Sequence, residues 1–183
     1  ARRRSRGTQL PVSFVRGDVQ QLAFADATFD QCRADRTFQH LPEPRQALAE
    51  MVRVTKPGGR VLIVEPDHES RIFDSPYPAI TRRYFDFRNA TMNQPAIAHQ
   101  LYAMYKDAGL ADVVVEPLVE VTTDYNDIKA VARFEWGMEL AQQRGVVTAD
   151  EATRWLAHLE QAVREGHFFH AFTYFITIGR KPL

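Results

Sequence analysis

The segment Arg60–Glu65 constrains the fold most strongly, because four consecutive positions at its centre, Val61–Val64, are apolar. Side chains of a strand alternate between its two faces, so an unbroken apolar run predicts a strand that is buried on both faces. Such strands lie inside parallel sheets that are covered by helices. The preceding turn, Lys56–Gly59, contains a proline and two glycines, which end the helix before it.

Strand and helix patterns alternate along the rest of the chain. Apolar runs predict strands at Val12–Val15, Phe29–Ala34, Val113–Leu118 and Phe172–Gly179. Helices are predicted to begin at Pro42–Pro44, to cover Ile97–Ala108 and Asp127–Arg144, and to run from the capping box Thr148–Glu151 to about Gly166. This order is typical of an α/β fold with a mostly parallel sheet, and we treat residues 1–183 as a single domain.

The composition argues against several classes of protein. The 23 basic and 23 acidic residues cancel, which disfavours a nucleic-acid-binding protein. The longest apolar run is too short to cross a bilayer, so no membrane partner is expected. The single cysteine, Cys32, cannot form an internal disulfide and fits a reducing, cytoplasmic location. Only His167 and His170 among the histidines are close in sequence, so no metal site is predicted.

The first residues are unusually basic, because four of the first six are arginine and Gly7 follows them. One interpretation is a basic arm that binds phosphates. The other, which we favour, is the last turn of a helix whose start lies upstream, because cations suit a helix C-terminus and glycine ends a helix.

Ligands of α/β sheets bind outside the carboxyl ends of the strands. The loops at those ends are Gly17–Gln21, Ala34–Leu41 and Glu65–Ser70. We therefore expect functional side chains in these three loops.

Each polar residue of these loops has a functional and a structural interpretation. Asp18 could accept a hydrogen bond from a ligand amino group, or it could close a turn. Arg36 could pair with a carboxylate, and His40 could be a base or a packing residue. Glu65 and His68 could orient a substrate or take a proton, or they could belong to an exposed acidic turn.

Three stretches, in this order and at this spacing, resemble motifs of class I S-adenosylmethionine-dependent methyltransferases. Gly17–Asp30 is similar to the motif GDA-x-x-LPF-x-D-x-x-FD, and His40–Pro44 is similar to H-L-x-D-P. Glu50–Pro66 is similar to E-x-x-R-V-L-K-P-G-G-x-x-x-x-x-E-P. The motifs cover Val12–Pro66, and the rest of the chain fits by its element pattern. Quinone-biosynthesis and other small-molecule methyltransferases are the subgroup that it resembles most.

The resemblance implies a Rossmann-like three-layer sandwich with an antiparallel last strand, and it implies S-adenosylmethionine as the cofactor. In the family, the residue that matches Asp18 accepts from the adenine amino group, and the residue that matches Val19 lies along the base. The implied cofactor-binding residues are Asp18, Val19, Ala34, Asp35, Arg36 and His40.

The chain departs from the family in one respect. The family's glycine-rich loop after its first strand, and the acidic residue after its second, have no counterpart in residues 1–183. The resemblance thus implies that N-terminal strands are absent from this chain, which would leave an unpaired edge in the middle of the sheet. We expect that part to lie upstream, to have been removed or to come from another polypeptide. The expected macromolecular partner is a second copy of the chain or a complementing N-terminal segment.

We predict methyl transfer from S-adenosylmethionine to a small apolar or aromatic metabolite. Residues 67–93 and 119–170 would form a substrate lid. His40 and His68 are the candidate catalytic residues, although a base is needed only when the acceptor is a poor nucleophile. The predicted substrate-contacting residues are Glu65, His68, Phe73 and Tyr84.

Two alternatives remain open from the sequence. Four aromatic residues of the second lid segment either contact an aromatic acceptor or pack the helices together: Phe134, Trp136, Phe168 and Phe169. The chain could also be a non-catalytic methyltransferase-like subunit or a truncated fragment that lacks cofactor binding. A nicotinamide-dependent oxidoreductase is disfavoured, because it too needs a glycine-rich loop.

Overall fold

The computed structural model describes residues 12–183, so the predictions for the basic segment Ala1–Gly7 lie outside the described residues. Its strands are β1 (Phe29–Asp35), β2 (Thr55–Phe73), β3 (Ala111–Thr122) and β4 (His170–Arg180). Its α-helices are α1 (Pro44–Val54), α2 (Pro78–Ala90), α3 (Ile97–Asp107), α4 (Tyr125–Ala132), α5 (Phe134–Gln143) and α6 (Ala149–Glu165). A short 3-10 helix, Phe38–His40, follows β1.

The four strands form one mixed sheet in the order β1-β2-β4-β3. β1 pairs with β2 in parallel, and β4 is antiparallel to both β2 and β3. Three strands therefore point in one direction and the last strand points in the other. This arrangement confirms the predicted α/β fold with a mostly parallel sheet and an antiparallel last strand.

One face of the sheet carries the first hydrophobic core. Val61 and Ile63 of β2 are fully buried against α1 and α3, where Leu48 and Leu101 are among the buried residues. The other face of β2 carries Leu62 and Val64, which are only partly buried. The prediction that β2 is buried on both faces therefore holds for one face, because α1 and α3 pack on that face.

A second hydrophobic core joins the two segments that were predicted to form a lid. Phe73 and Trp155 stack at its centre with their ring centres 4.8 Å apart. Phe134 and Phe168 are buried here, so they pack the helices together, whereas Trp136 and Phe169 are partly exposed.

The predicted strand Val12–Val15 is wrong. These residues are exposed and form no ladder. A strand needs a neighbour to pair with, and within the described residues β1 pairs only with β2. Apolar β-branched residues alone do not make a strand.

The predicted helix Asp127–Arg144 is instead two helices, α4 and α5. The break lies at Arg133, which adopts the left-handed conformation with φ of 46°. This turn brings Tyr125 and Phe134 face to face, with their ring centres 5.7 Å apart and nearly parallel. The turn at Arg133 therefore interrupts the helical pattern, and the stacked rings contribute favourable packing across it.

The predicted loop Glu65–Ser70 is also wrong, because β2 continues through it to Phe73. The pairing of β2 with β4 shifts between Asp67↔Thr173 and Ile72↔Ala171. Five steps along β2 therefore match two steps along β4, and residues 68–71 protrude from the ladder as a bulge. Bulges of this kind redirect side chains and are frequent next to functional sites.

Gly59 is expected to be intolerant of substitution. A Cβ at this position would collide with the Asp30 carbonyl oxygen and would lie 2.7 Å from Thr55 Cγ2. We expect Gly59→Ala to lower the free energy of unfolding by about 2 kcal/mol, as overpacking does elsewhere. Urea denaturation measures this change. The control is Gly17→Ala, where the added Cβ meets nothing within 4 Å. A Gly59→Ala variant as stable as the control would contradict this account.

No helix in residues 12–183 has both the length and the apolar character to cross a membrane. No group of three His, Cys, Asp or Glu side chains there is arranged to hold a metal ion.

Candidate functional site

The loop that follows β1 turns through a strained residue. Arg36 has a positive φ of 51°, which is uncommon for a residue with a side chain. Its N–H donates to the Val64 carbonyl at 2.8 Å, so the parallel ladder fixes the turn. Its Nε donates to Asp35 Oδ1 at 2.9 Å, and both side chains are exposed. Asp35 and Arg36 therefore lie together at the carboxyl end of β1, as predicted, while Ala34 is buried beneath them.

Glu65 fixes the next part of that loop, residues 37–39, through hydrogen bonds from the sheet. Its side chain is fully buried, and its Oε1 accepts hydrogen bonds from the N–H groups of Thr37 at 2.7 Å and Phe38 at 2.6 Å. Its Oε2 accepts from the Gln39 N–H at 3.3 Å. Burial raises the pKa of Glu65, and the three N–H donors oppose that shift. The carboxylate therefore organises the loop rather than facing a substrate.

Asp18 and Val19 lie in a separate turn. Asp18 is exposed, and its Oδ1 accepts from the Gln20 N–H at 2.9 Å. A bridge between Asp18 and Gln21 closes the turn. Val19 is partly buried and packs against the first hydrophobic core. One carboxylate oxygen of Asp18 therefore has a structural role.

The sequence analysis did not predict the hydrogen bonds that fix the segment after this turn, residues 22–26. Arg53 of α1 donates to Asp26 Oδ1 at 2.7 Å and to the carbonyl oxygens of Phe24 and Leu22. Glu50 accepts from Arg53 and from the Leu22 N–H, and Arg53 lowers the pKa of Glu50 to about 2. The spacing of Glu50 and Arg53, three residues apart in a predicted helix, was the available signal.

His40 and His68, the candidate catalytic residues, lie in different environments. His40 is exposed at the end of the 3-10 helix, and its backbone carbonyl accepts from Asn93 Nδ2 at 2.9 Å. His68 is buried on the bulge of β2. Arg71 Nη2, which is always a donor, lies 3.0 Å from His68 Nδ1. His68 Nδ1 is therefore the acceptor, and its Nε2–H donates to Gln39 Oε1 at 2.7 Å.

This hydrogen bond connects the loop after β1 to a cavity of about 630 Å³ between the β2 bulge and α2. His68 and Phe73, two of the four predicted substrate-contacting residues, line the cavity. The other two predicted substrate residues do not. Glu65 is buried under the loop, and Tyr84 is fully buried, with its hydroxyl accepting from Arg88 Nη1 at 3.2 Å. The structure adds Arg71 to the lining, which sequence reasoning missed because no motif includes it.

Stability is expected to fall as the pH decreases below neutrality. Burial, with Arg71 nearby, lowers the pKa values of His68 and His170 to about 4. These folded values lie below the unfolded value of about 6.5. As the pH falls, the histidines bind protons in the unfolded chain before they do so in the folded chain. The stability that the two neutral histidines contribute is therefore complete above pH 6.5 and is lost as the pH falls towards 4. We expect a loss of about 2 kcal/mol between pH 6.5 and 5.5.

Urea denaturation at several pH values measures this loss. His170→Gln should remove about half of it, since one histidine of the pair remains. His99→Gln changes an exposed histidine and is the control. An equal pH dependence in both variants would contradict the assignment to buried histidines.

Comparisons with known proteins agree with this fold. A family model described as methyltransferase domain matches residues 1–63. A proposed methyltransferase from Bacillus halodurans has a similar structure, with a TM-score of 0.57, 16% identity and coverage of 94% of this chain and 78% of that one. The YcgJ protein of Bacillus subtilis gives a TM-score of 0.53 and 20% identity, with coverage of 91% and 70%. The fold is thus that of the class I methyltransferases.

Two curated proteins are similar to this chain in sequence. An uncharacterized 37.1 kDa protein in transposon Tn4556 of Streptomyces fradiae is 35% identical over 97% of this chain and 51% of its own length. A demethylmenaquinone methyltransferase of Paenarthrobacter aurescens is 47% identical over 31% of this chain and 22% of its own length. The chain therefore spans about half or less of these curated relatives. The family model and the demethylmenaquinone methyltransferase each match about a third of this chain, and what they show is similarity to methyltransferases in that part.

Proposed function

We propose that the protein transfers a methyl group from S-adenosylmethionine to a small apolar or aromatic molecule bound in the cavity beside β2. The hydrogen bond between Gln39 and His68 is the observation that carries this proposal. It joins the loop at the end of β1, where the family resemblance puts the cofactor, to the wall of the cavity. Donor and acceptor would therefore meet at one end of the sheet, where ligands of such sheets bind.

The described residues fit the nucleoside part of the cofactor. Asp18 has an exposed carboxylate with Oδ1 engaged by Gln20, so Oδ2 is the oxygen that would accept from an adenine amino group. Val19 offers an apolar side chain beside it. The turn at Asp35 and Arg36 is rigid, because the Val64 carbonyl and the buried Glu65 hold it. When bound, S-adenosylmethionine supplies an electrophilic methyl group on a sulfonium.

The chain itself contributes position rather than a dedicated base. Both ring nitrogens of His68 are engaged in hydrogen bonds, so the imidazole orients Gln39 and Arg71. His40 is the histidine with an exposed side chain near the loop, and we propose it as the group that faces the acceptor. Fixed placement of two reactants accounts for roughly 7–11 kcal/mol of a barrier in well-oriented reactions.

Binding of S-adenosylhomocysteine, followed by isothermal titration calorimetry, tests the proposal. We expect Asp18→Asn to weaken binding by about 10- to 100-fold, the magnitude of a hydrogen bond to a charged group. The amide oxygen of Asn would still accept from Gln20 and preserve the turn, but its NH2 would face the adenine. Asp107→Asn, in an exposed ion pair with Arg45, is the matched control.

Two results would contradict the proposal. Equal affinity of Asp18→Asn and the control would remove Asp18 from the cofactor site. No binding at all by a protein that circular dichroism shows to be folded would favour the other candidate, a non-catalytic methyltransferase-like subunit.

A further inference from the structure

The cavity beside β2 contains a cation that no carboxylate of the described residues 12–183 pairs with. The guanidinium of Arg71 lies between two phenyl rings, with its Cζ 4.8 Å from the Phe85 ring centre and 5.1 Å from the Phe172 ring centre. Its hydrogen bond to His68 Nδ1 uses one of five N–H donors. Within residues 12–183, every carboxylate lies more than 4.0 Å from this guanidinium.

No group around Arg71 in residues 12–183 forms an ion pair with it. Arg88 is a second cation on α2, and it acts together with burial to lower the pKa of Arg71 to about 10. His68 and His170 are neutral at pH 7, because burial lowers their pKa values to about 4. The carboxylates that line the cavity, Glu69 and Asp86, are exposed and do not pair with Arg71. A half-buried cation in this position is costly unless an anion joins it.

The guanidinium is also held in place. Phe85 and Phe172 both pack against the guanidinium, which limits its movement. His68 fixes one Nη, and His68 is itself fixed by Gln39 and by Asn89, whose Nδ2 donates to the His68 carbonyl at 3.2 Å. A rigid guanidinium edge matches a planar carboxylate, which can accept two parallel hydrogen bonds.

A second polar group of the cavity wall lacks a partner. Asn89 Oδ1 is buried and makes no hydrogen bond within the described part of the chain. Unsatisfied buried acceptors are few in native proteins and call for an explanation. The wall therefore holds unused donors on Arg71 and an unused acceptor on Asn89, while Phe73 and Phe85 make it partly aromatic.

We infer that this cavity binds a small aromatic carboxylic acid, whose carboxylate pairs with Arg71 and whose ring contacts Phe73 and Phe85. The planar carboxylate of a monoanion matches the Arg71 edge. Glu69 and Asp86 in the lining repel a phosphate dianion more strongly than a monoanion. The volume of about 630 Å³ lies within the range of about 300–1,000 Å³ that is usual for small-molecule sites. The identification of this acid as the methyl acceptor rests on the proposed function, but its binding does not.

Equilibrium binding of 3-phenylpropionate, 3-phenylpropionamide and phenyl phosphate tests this inference, with S-adenosylhomocysteine titrated separately into the same protein. We expect the acid to bind at least tenfold more tightly than the amide and than the phosphate. Arg71→Gln should reduce acid binding at least tenfold, and Arg71→Lys should reduce it less, because it keeps the charge without the planar edge. Arg45→Gln, an exposed arginine in a surface ion pair, should leave acid binding unchanged.

The two titrations separate the failure of this inference from the failure of the proposed function. Equal binding of acid and amide, tighter binding of phenyl phosphate, or unchanged acid binding in Arg71→Gln and Arg71→Lys would overturn the inference, even when S-adenosylhomocysteine binds normally. Acid binding that depends on Arg71, in a protein that does not bind S-adenosylhomocysteine, would support the site and overturn methyl transfer. Thermal melting curves of the Arg71 variants show whether each is folded.

Discussion

Replacement of Glu65 with alanine is expected to lower the free energy of unfolding by about 4 kcal/mol. The variant would leave the N–H groups of Thr37, Phe38 and Gln39 buried without an acceptor, and each such group costs about 1–3 kcal/mol. The loop after β1 should lose its fixed conformation, so affinity for S-adenosylhomocysteine should fall at least tenfold if that loop holds the cofactor.

Glu65→Gln separates the geometry of this contact from its charge. Its amide oxygen would still accept from Thr37 and Phe38, but its NH2 would face the Gln39 N–H, so we expect a loss of about 1–2 kcal/mol. Glu160→Ala, at an exposed position of α6, is the control and should stay within about 0.5 kcal/mol of the parent protein. Urea denaturation of the three variants gives the comparison. Equal stability of Glu65→Ala and Glu160→Ala would contradict the proposed role of Glu65.

Trp155→Ala is expected to have a similarly large effect, about 4 kcal/mol, in the second hydrophobic core. Trp155 is fully buried, stacks on Phe73, and packs against Tyr84 with ring centres 5.3 Å apart. Its Nε1–H donates to Thr81 Oγ1 at 2.9 Å. Truncation to alanine therefore leaves a cavity and breaks a buried hydrogen bond at once.

Trp155→Phe should lower the free energy of unfolding by less, about 2 kcal/mol, because an aromatic ring remains in the core while the hydrogen bond to Thr81 is lost. Trp136→Phe is the matched control, since Trp136 is 45% exposed and lies against Arg88 and Arg133 at the surface. Chemical denaturation followed by near-ultraviolet circular dichroism measures both stability and aromatic packing. A Trp155→Ala variant with the parent midpoint would show that this core does not stabilise the fold.

Local signals in the sequence predicted the elements that local interactions stabilise. The Thr148–Glu151 capping box starts α6, with the Glu151 N–H donating to Thr148 Oγ1 at 3.2 Å. The alternation at Phe172–Gly179 gives β4. The predictions failed where a distant partner decides the structure. Val12–Val15 has strand residues but no neighbouring strand within residues 12–183. The helical pattern breaks at Arg133, where the turn brings Tyr125 and Phe134 together.

In the candidate site, too, the sequence predicted some residues, whereas contacts with distant residues decide the role of others. Strand-end reasoning placed Asp35 and Arg36 correctly at the carboxyl end of β1, because position in a parallel sheet follows from the order of the elements. It gave Glu65 a substrate role, since no sequence pattern shows that the strand-end carboxylate points inwards to three backbone donors. The sequence analysis did not predict Arg71 as a site residue for a related reason. Its importance depends on two phenyl rings, one of them about a hundred residues away, and on the fact that no carboxylate of residues 12–183 pairs with it.

The bulge of β2 contributes side chains to the cavity from positions that lie outside the β2–β4 ladder. The ladder with β4 ends at Asp67↔Thr173 and resumes at Ile72↔Ala171, so the residues between them take no part in the paired register. An exposed side chain of the bulge, such as Glu69, can therefore change without moving the strand on either side. A lineage that carries this fold could exchange it, and so alter the lining of the cavity, while the sheet and the loop after β1 stay as they are.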